Sequence, residues 1–251
     1  MIISNIHQFL RMKIQNSEFT MNTKNQFSGL ISILIFGLIY SCVRQNTQRK
    51  ILFKEDFEGE LNTQKWVSEI EPMPNSSVFT KENKLILDTK GGVTVWYNQK
   101  LTGNYEISFK RKVIVLDGKN DRLSDLNVFW LAESPNNANL FTRTGKFEDY
   151  DSLNMYYVGM GGNTNTTTRF RKYEANAQRK LLAEKNEVKY LLKPNHEYQI
   201  KIVVKDNTTS FWVDGEMIFQ ATDEHFPNQS YFGFRSTFSH QEIRNFRVVR
   251  L

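Results

Sequence analysis

From Ile51 onward the chain alternates apolar and polar residues with a period of two. In NYEISFKRKVIVL (Asn104–Leu116), Tyr105, Ile107 and Phe109 share one face and Glu106, Ser108 and Lys110 the other, as a strand with one wet face requires. KLILDT (Lys84–Thr89) and VTVWYNQ (Val93–Gln99) read as two more strands, parted by Gly91-Gly92. HEYQIKIVVKD (His196–Asp206) alternates in the same way, and TTSFWVDGEMIFQ (Thr208–Gln220) folds back on itself at Asp214-Gly215, a favoured two-residue hairpin turn. SYFGFRST (Ser230–Thr237) and EIRNFRVVRL (Glu242–Leu251) supply two further strands. DLNVFWLAE (Asp125–Glu133) is apolar on both faces, which predicts a central strand.

The stretch YYVGMGGNTNTTTRFRKY (Tyr156–Tyr173) raises the thought of a phosphate-binding loop. It lacks the Gly-Lys-Ser/Thr or three spaced glycines that open a helix, and Thr166–Thr168 favour a pleated surface. It predicts strand, Gly/Asn turn, strand. Glu174–Lys193 is charged and ambiguous, either strand plus loop or one short helix. No fixed-period repeat appears, which argues against a propeller or solenoid. About a dozen strands without crossover helices predict an all-β antiparallel sandwich.

The first 42 residues carry a different pattern. Gly29–Tyr40 (GLISILIFGLIY) is an apolar run after Lys24, too short for a spanning helix of about 20 residues and suited to an export signal. Ile39-Tyr40-Ser41-Cys42 resembles the bacterial lipoprotein box, although Tyr40 is bulkier than usual there. Cys42 would carry the lipid; the competing reading is an ordinary buried thiol beside a core helix. Met21 offers a second start with a short basic lead. The expected organisation is a signal segment over 1–42, a polar tether over 43–50 and one β-sandwich over 51–251, in a protein lipid-anchored in the bacterial envelope, at the periplasmic or surface face of the outer membrane.

Cys42 is the single cysteine, so neither a disulfide framework nor a thiolate metal cluster is available. Of 33 Lys/Arg and 27 Asp/Glu, residues 1–42 hold three and one, leaving 30 against 26. That mild basicity without a basic block excludes a strong nucleic-acid reading and slightly favours an acidic partner such as a uronic-acid glycan.

FKEDFEG near the start of the domain, the late FWVDGxxIF-type hairpin, and the end FGFRSTFSHQEIRNFRVVRL together resemble the concanavalin A-like jelly roll. The chain is similar, more narrowly, to the YesU-like families of exported proteins often encoded beside polysaccharide-degrading genes. The likeness covers roughly Ile51–Leu251 and is most specific in DLNVFW, YYVGMGGNTNTTTRFR and FRSTFSHQEIRNF. It implies a sheet that grips an extended glycan with aromatic and polar side chains.

Alternation says which residues would face that glycan. Asn127, Phe129 and Leu131 oppose Val128 and Trp130; Thr167, Arg169, Arg171 and Tyr173 oppose Thr168, Phe170 and Lys172; Arg235 and Thr237 oppose Phe232 and Phe234. Arginines on such a sheet match carboxylates, in a ligand or in internal ion pairs. Trp96, Trp130, Tyr156 and Tyr157 suit either sugar stacking or the core. Retaining glycosidases of this fold place Glu-x-Asp-x-x-Glu on one strand, and no such motif occurs. A lyase needs a cation or amide to neutralise a uronate, a base and a proton donor. Arg, Asn, Tyr and His are what the conspicuous stretches contain.

The expected site is therefore His240, Arg235 and Tyr157 for chemistry, with Asn127, Trp130, Asn163, Arg169, Arg171 and Trp96 for substrate. No side-chain metal set and no cofactor are expected; His196, His225 and His240 lack zinc spacing. The resemblance admits a calcium near the first and last strands with Asp56 contributing, against a simple turn there. The leading expectation is an envelope-anchored, lyase-like protein acting on acidic polysaccharide or oligosaccharide. The alternatives are a non-catalytic glycan-binding lipoprotein and a structural envelope protein.

Overall fold

A computed structural model describes residues 49–251, and Arg49–Leu251 form one compact unit. The segment containing the signal, the lipoprotein-like box and Cys42 lies outside the described residues. Thirteen strands make up the unit: β1 (Lys50–Glu55), β2 (Trp66–Ile70), β3 (Ser77–Lys81), β4 (Lys84–Leu101), β5 (Tyr105–Ile114), β6 (Leu126–Glu133), β7 (Asn154–Gly161), β8 (Thr167–Glu174), β9 (Arg179–Glu184), β10 (Glu197–Lys205), β11 (Thr208–Val213), β12 (Glu216–Thr222) and β13 (Ser230–Arg250). Every pairing between them is antiparallel. The fold is the expected jelly-roll sandwich. No helix among the described residues is long and apolar enough to cross a membrane.

Two long strands run through both sheets. The first half of β13 lies between the second half of β4 and β6, with Phe234 opposite Val95 and Val128. Its second half lies between the first half of β4 and β5, with Ile243 opposite Leu85 and Arg111. The front sheet is thus β2-β4-β13-β6-β7-β8-β9, and the back sheet is β3-β4-β13-β5-β10-β11-β12, with β1 beside the end of β13.

Both stretches expected as separate strand pairs are in fact single bent strands. Gly91-Gly92 is a corner in β4, not a turn, and it faces Phe238, a bulge in β13 at φ 43°. A Cβ on Gly92 would lie 2.1 Å from the Gly145 carbonyl, so only glycine admits that neighbour. Lys90 Nζ sits 3.9 Å over the Phe238 ring and covers the corner.

Between the sheets lies an aromatic core. Phe109 meets Phe234 edge to face at 5.0 Å, Trp66 stacks on Phe234, and Trp130 stacks on Phe170 at 5.7 Å. Each such side chain contributes about 1.5–3 kcal/mol of burial. Beneath them is one charge: Arg111 continues the inward row of Tyr105, Ile107 and Phe109 and is fully buried. It donates to Gln241 Oε1 (2.6 Å), the Asn127 carbonyl (2.7 Å) and the Arg235 carbonyl (2.9 Å). Burial lowers its pKa to about 9, which leaves it protonated at neutral pH. Arg111 therefore ties β5 to β6 and β13 from below.

The hairpin predicted from YYVGMGGNTNTTTRFRKY is β7-turn-β8. Its turn holds Asn163, Thr164 and Asn165 in left-handed backbone at φ 51°, 58° and 58°, affordable because the Asn165 amide exchanges two hydrogen bonds with Leu192. The ambiguous Glu174–Lys193 segment resolves as β9 and a single 3₁₀ turn at Val188–Tyr190.

Candidate functional site

Strand register arranges the outer face of the front sheet in two rows. Glu69, Thr94, Arg235, Asn127, Gly159, Arg169 and Glu184 are successive cross-strand neighbours from β2 to β9. Two residues along, Val67, Trp96, Gly233, Phe129, Tyr157, Arg171 and Leu181 form the next row. The first row is polar and the second largely apolar, with Trp96, Phe129 and Tyr157 at its centre. Side chains two apart on a strand share a face, so both rows look outward from the core.

Ser134–Leu153, the connection from β6 to β7, folds back over part of this face. Its Leu140, Tyr150 and Leu153 join Trp96, Phe129, Met155, Tyr157 and Tyr173 in a second apolar cluster outside the sandwich core. Glu69 fixes the segment. Its carboxylate accepts from Trp96 Nε1 (2.7 Å), Tyr150 Oη (2.9 Å) and the Arg143 backbone N–H (2.7 Å), while burial raises its pKa. At the far end Asp151 takes both Nε and Nη2 of Arg179, at 2.6 and 2.8 Å.

What the segment leaves open is a cleft of about 470 Å³, lined chiefly by Arg122, Asp125, Asn127, Tyr157, Gly159, Asn163, Arg169, Arg171 and Arg179, with Phe147 and Glu148 as one wall. Gly159 makes room for Tyr157, whose hydroxyl would stand 2.2 Å from a Cβ at that position. Most charges here are paired: Arg122 with Asp125 at 2.6 Å, Arg169 with Glu184 at 2.6 Å and Arg179 with Asp151. Among the described residues Arg171 has no hydrogen-bond or ion-pair partner, and Asn127 Oδ1 is buried without one. Behind them Arg235 is fully buried and, among the described residues, meets no carboxylate. Its Nη atoms donate to the Gly145 carbonyl, Thr94 and Thr237, its guanidinium lies over Phe147 and Tyr150, and Nε has no partner. Burial lowers its pKa and raises that of the Tyr157 phenol.

The structure brings together Asn127, Tyr157, Asn163, Arg169 and Arg171, and sets Arg235 just beneath them. It separates three others. Trp130 points between the sheets and donates to Thr209 at 2.7 Å, because β6 alternates and Trp130 follows the Val128 face. Trp96 does face outward, yet it is fully covered by the Ser134–Leu153 segment. His240 lies beyond the Phe238 bulge, opposite Asp88 and Ile114 in the back sheet, with Nδ1 2.9 Å from Asp121. The bulge shifts the strand's course between Arg235 and His240, so proximity in FRSTFSH does not become proximity in the cleft.

Sequence reasoning missed Glu69, Arg111 and the Ser134–Leu153 segment. Arg111 had a signal, a cation in the apolar register of an alternating strand; Glu69 and the segment had none. The calcium site does not fit: the Asp56 carboxylate is held by Lys54 at 2.7 Å and Arg247 at 2.8 Å, two cations where a third would have to sit. Among the described residues no group of three His, Cys, Asp or Glu is placed to hold a metal.

A family model described as a domain of unknown function, DUF6250, matches residues 87–246. No curated protein matches the chain. Among solved structures, the chain is similar to a protein of unknown function with a galectin-like fold from Bacillus subtilis, at TM-score 0.65 and 15% identity over 80% of this chain and 96% of that one. It is similar to an endo-β-1,3-glucanase from Pyrococcus furiosus (TM-score 0.57, 11% identity, 80% and 94%). It is also similar to the carbohydrate-binding module CBM66 from Bacillus subtilis (0.51, 12%, 74% and 95%). At these identities the likeness establishes the shared fold.

Proposed function

The chain belongs to the DUF6250 family, and from that premise we propose that its front-sheet cleft binds an acidic carbohydrate, a sugar carrying a carboxylate. The carrying observation is the pair of unsatisfied groups lining the cleft: among the described residues Arg171 has no anion and Asn127 Oδ1 has no donor. An orphaned buried amide oxygen is costly unless a ligand completes it, and a guanidinium fork such as that of Arg171 suits a planar carboxylate. Two of the similar structures are a glucanase and a carbohydrate-binding module, which supports a sugar as the rest of the ligand.

Binding without cleavage is the reading the geometry favours. Among the described residues no imidazole lines the cleft, and Asp125 is already taken by Arg122 and Ser124, so neither a free carboxylate pair nor a histidine base is on hand there. One observation supports β-elimination as the second reading: Glu148 and Tyr157 both line the cleft, and neither has a hydrogen-bond partner among the described residues. In that reaction Glu148 would take the proton beside the uronate carboxylate. The carbon–oxygen bond to the leaving sugar would break, and Tyr157, kept protonated by burial, would return a proton to that oxygen.

The test is a panel of acidic polysaccharides incubated with the purified domain. Retention on an affinity gel without new ultraviolet absorbance or reducing ends is the expected result. Absorbance from unsaturated products would replace binding by elimination, and no retention of any acidic polymer would end both readings. Lipid attachment at Cys42 belongs to the same proposal, since an anchor would hold the binder where glycans arrive. Replacing Cys42 by Ser is expected to move the protein from the membrane to the soluble fraction.

A further inference from the structure

We infer that the cleft is closed at its β13 end and so receives the terminal residue of a glycan, not a stretch from the middle of the chain. This inference rests on the acidic-carbohydrate reading above.

The polar row runs from β2 to β9, but the cleft does not. Its lining comes from β6, β7, β8 and β9, from Gly162 and Asn163 in the β7–β8 turn, from Arg122 and Asp125 before β6, from the segment wall, and from Thr237 alone in β13; β2 and β4 contribute nothing. What stops it is the tight seat of Gly145. A Cβ there would lie 2.4 Å from the Glu71 nitrogen and 2.8 Å from the Ile70 carbonyl carbon, and the Gly145 carbonyl meets Arg235 and would touch a Cβ on Gly92. The segment therefore presses on β2 and β4 at backbone distance, leaving no passage for a sugar ring.

That wall is built, not draped. Glu69 grips it through Tyr150 and Arg143, and Arg143 in turn donates to the carbonyls of Leu140 and Asp149. Phe147 packs on Tyr157 and Tyr173. A polymer entering past Arg169 and Arg171 would meet Phe147 as an end stop, with Asn127 and Tyr157 along the floor. A chain end would have its last ring surrounded, while an interior residue would need a second exit.

Titration calorimetry with oligogalacturonides of increasing length and with polygalacturonate reads this directly, using laminari-oligosaccharides as a neutral series. The expected stoichiometry is one protein per chain at every length. Blocking one kind of end, by reduction or by a bulky substituent, should weaken binding by about tenfold or more, the size of one lost charge-assisted hydrogen bond. Protein bound in proportion to polymer length would overturn the closed end while leaving acidic recognition intact. End-limited binding of the neutral series alone would keep the closed end and remove the acidic preference. Binding by neither series would overturn both.

Discussion

At the scale of single residues, the cleft separates groups that face ligand from groups that hold them there. Arg171→Ala removes a partly exposed side chain with no partner among the described residues, so we expect a loss of about 10- to 100-fold in affinity for an acidic glycan, matching about 1.5–3 kcal/mol for a charged hydrogen bond. Its melting temperature should stay unchanged, and calorimetry with thermal denaturation checks both. Arg111→Met should do the opposite. It strands the carbonyls of Asn127 and Arg235 and the amide oxygen of Gln241, and should cost about 3 kcal/mol or more in urea unfolding. The shared face of Asn127, Arg169 and Arg171 was legible because a period of two assigns faces without further knowledge. Trp96, which suited either sugar stacking or burial, faces outward yet is fully covered, and what covers an outward residue is a tertiary fact.

At the scale of elements, the Ser134–Leu153 segment decides the shape of the site. Gly145 sits at φ 91° against the backbone of β2, so Gly145→Ala combines left-handed strain with a clash that no rotamer relieves. We expect a destabilisation of about 2–4 kcal/mol and faster proteolytic cleavage within 134–153, visible by mass spectrometry of the fragments. Such a connection leaves little trace in sequence, because its aromatics, Phe141, Phe147 and Tyr150, carry no sustained helical or strand period; only Phe147 and Tyr150 share a single short 3₁₀ turn. The hairpins at Asp214-Gly215 and Gly161–Thr166 were legible through their turn residues. The corner at Gly91-Gly92 was misread because glycine serves tight turns and close approach equally well.

At the scale of the whole molecule, stability should depend on pH in two opposed ways. Asp56, Asp149 and Glu197 have lowered pKa values, through Lys54, Thr144 and Arg244 respectively. In each the native state binds its proton less tightly than the unfolded chain, so the stabilisation is present above the ordinary carboxylate values of 3.8 and 4.5 and is lost as pH falls through the folded values. Glu69 runs the other way. Its raised pKa means a contribution complete below 4.5 and lost as pH rises through the folded value. Urea unfolding should therefore show an acid limb below about pH 4 and a shallow decline above 4.5; Glu69→Gln should erase the decline and keep the limb.

The shared course of β13 through both sheets bears on how the chain is made. Ser230–Arg250 supplies the middle of each sheet, so on a translating ribosome neither layer can zip shut until this strand emerges. A nascent chain stalled before Ser230 would hold β4, β5 and β6 with bare edges, and it would need a chaperone's shelter until synthesis delivered their common neighbour.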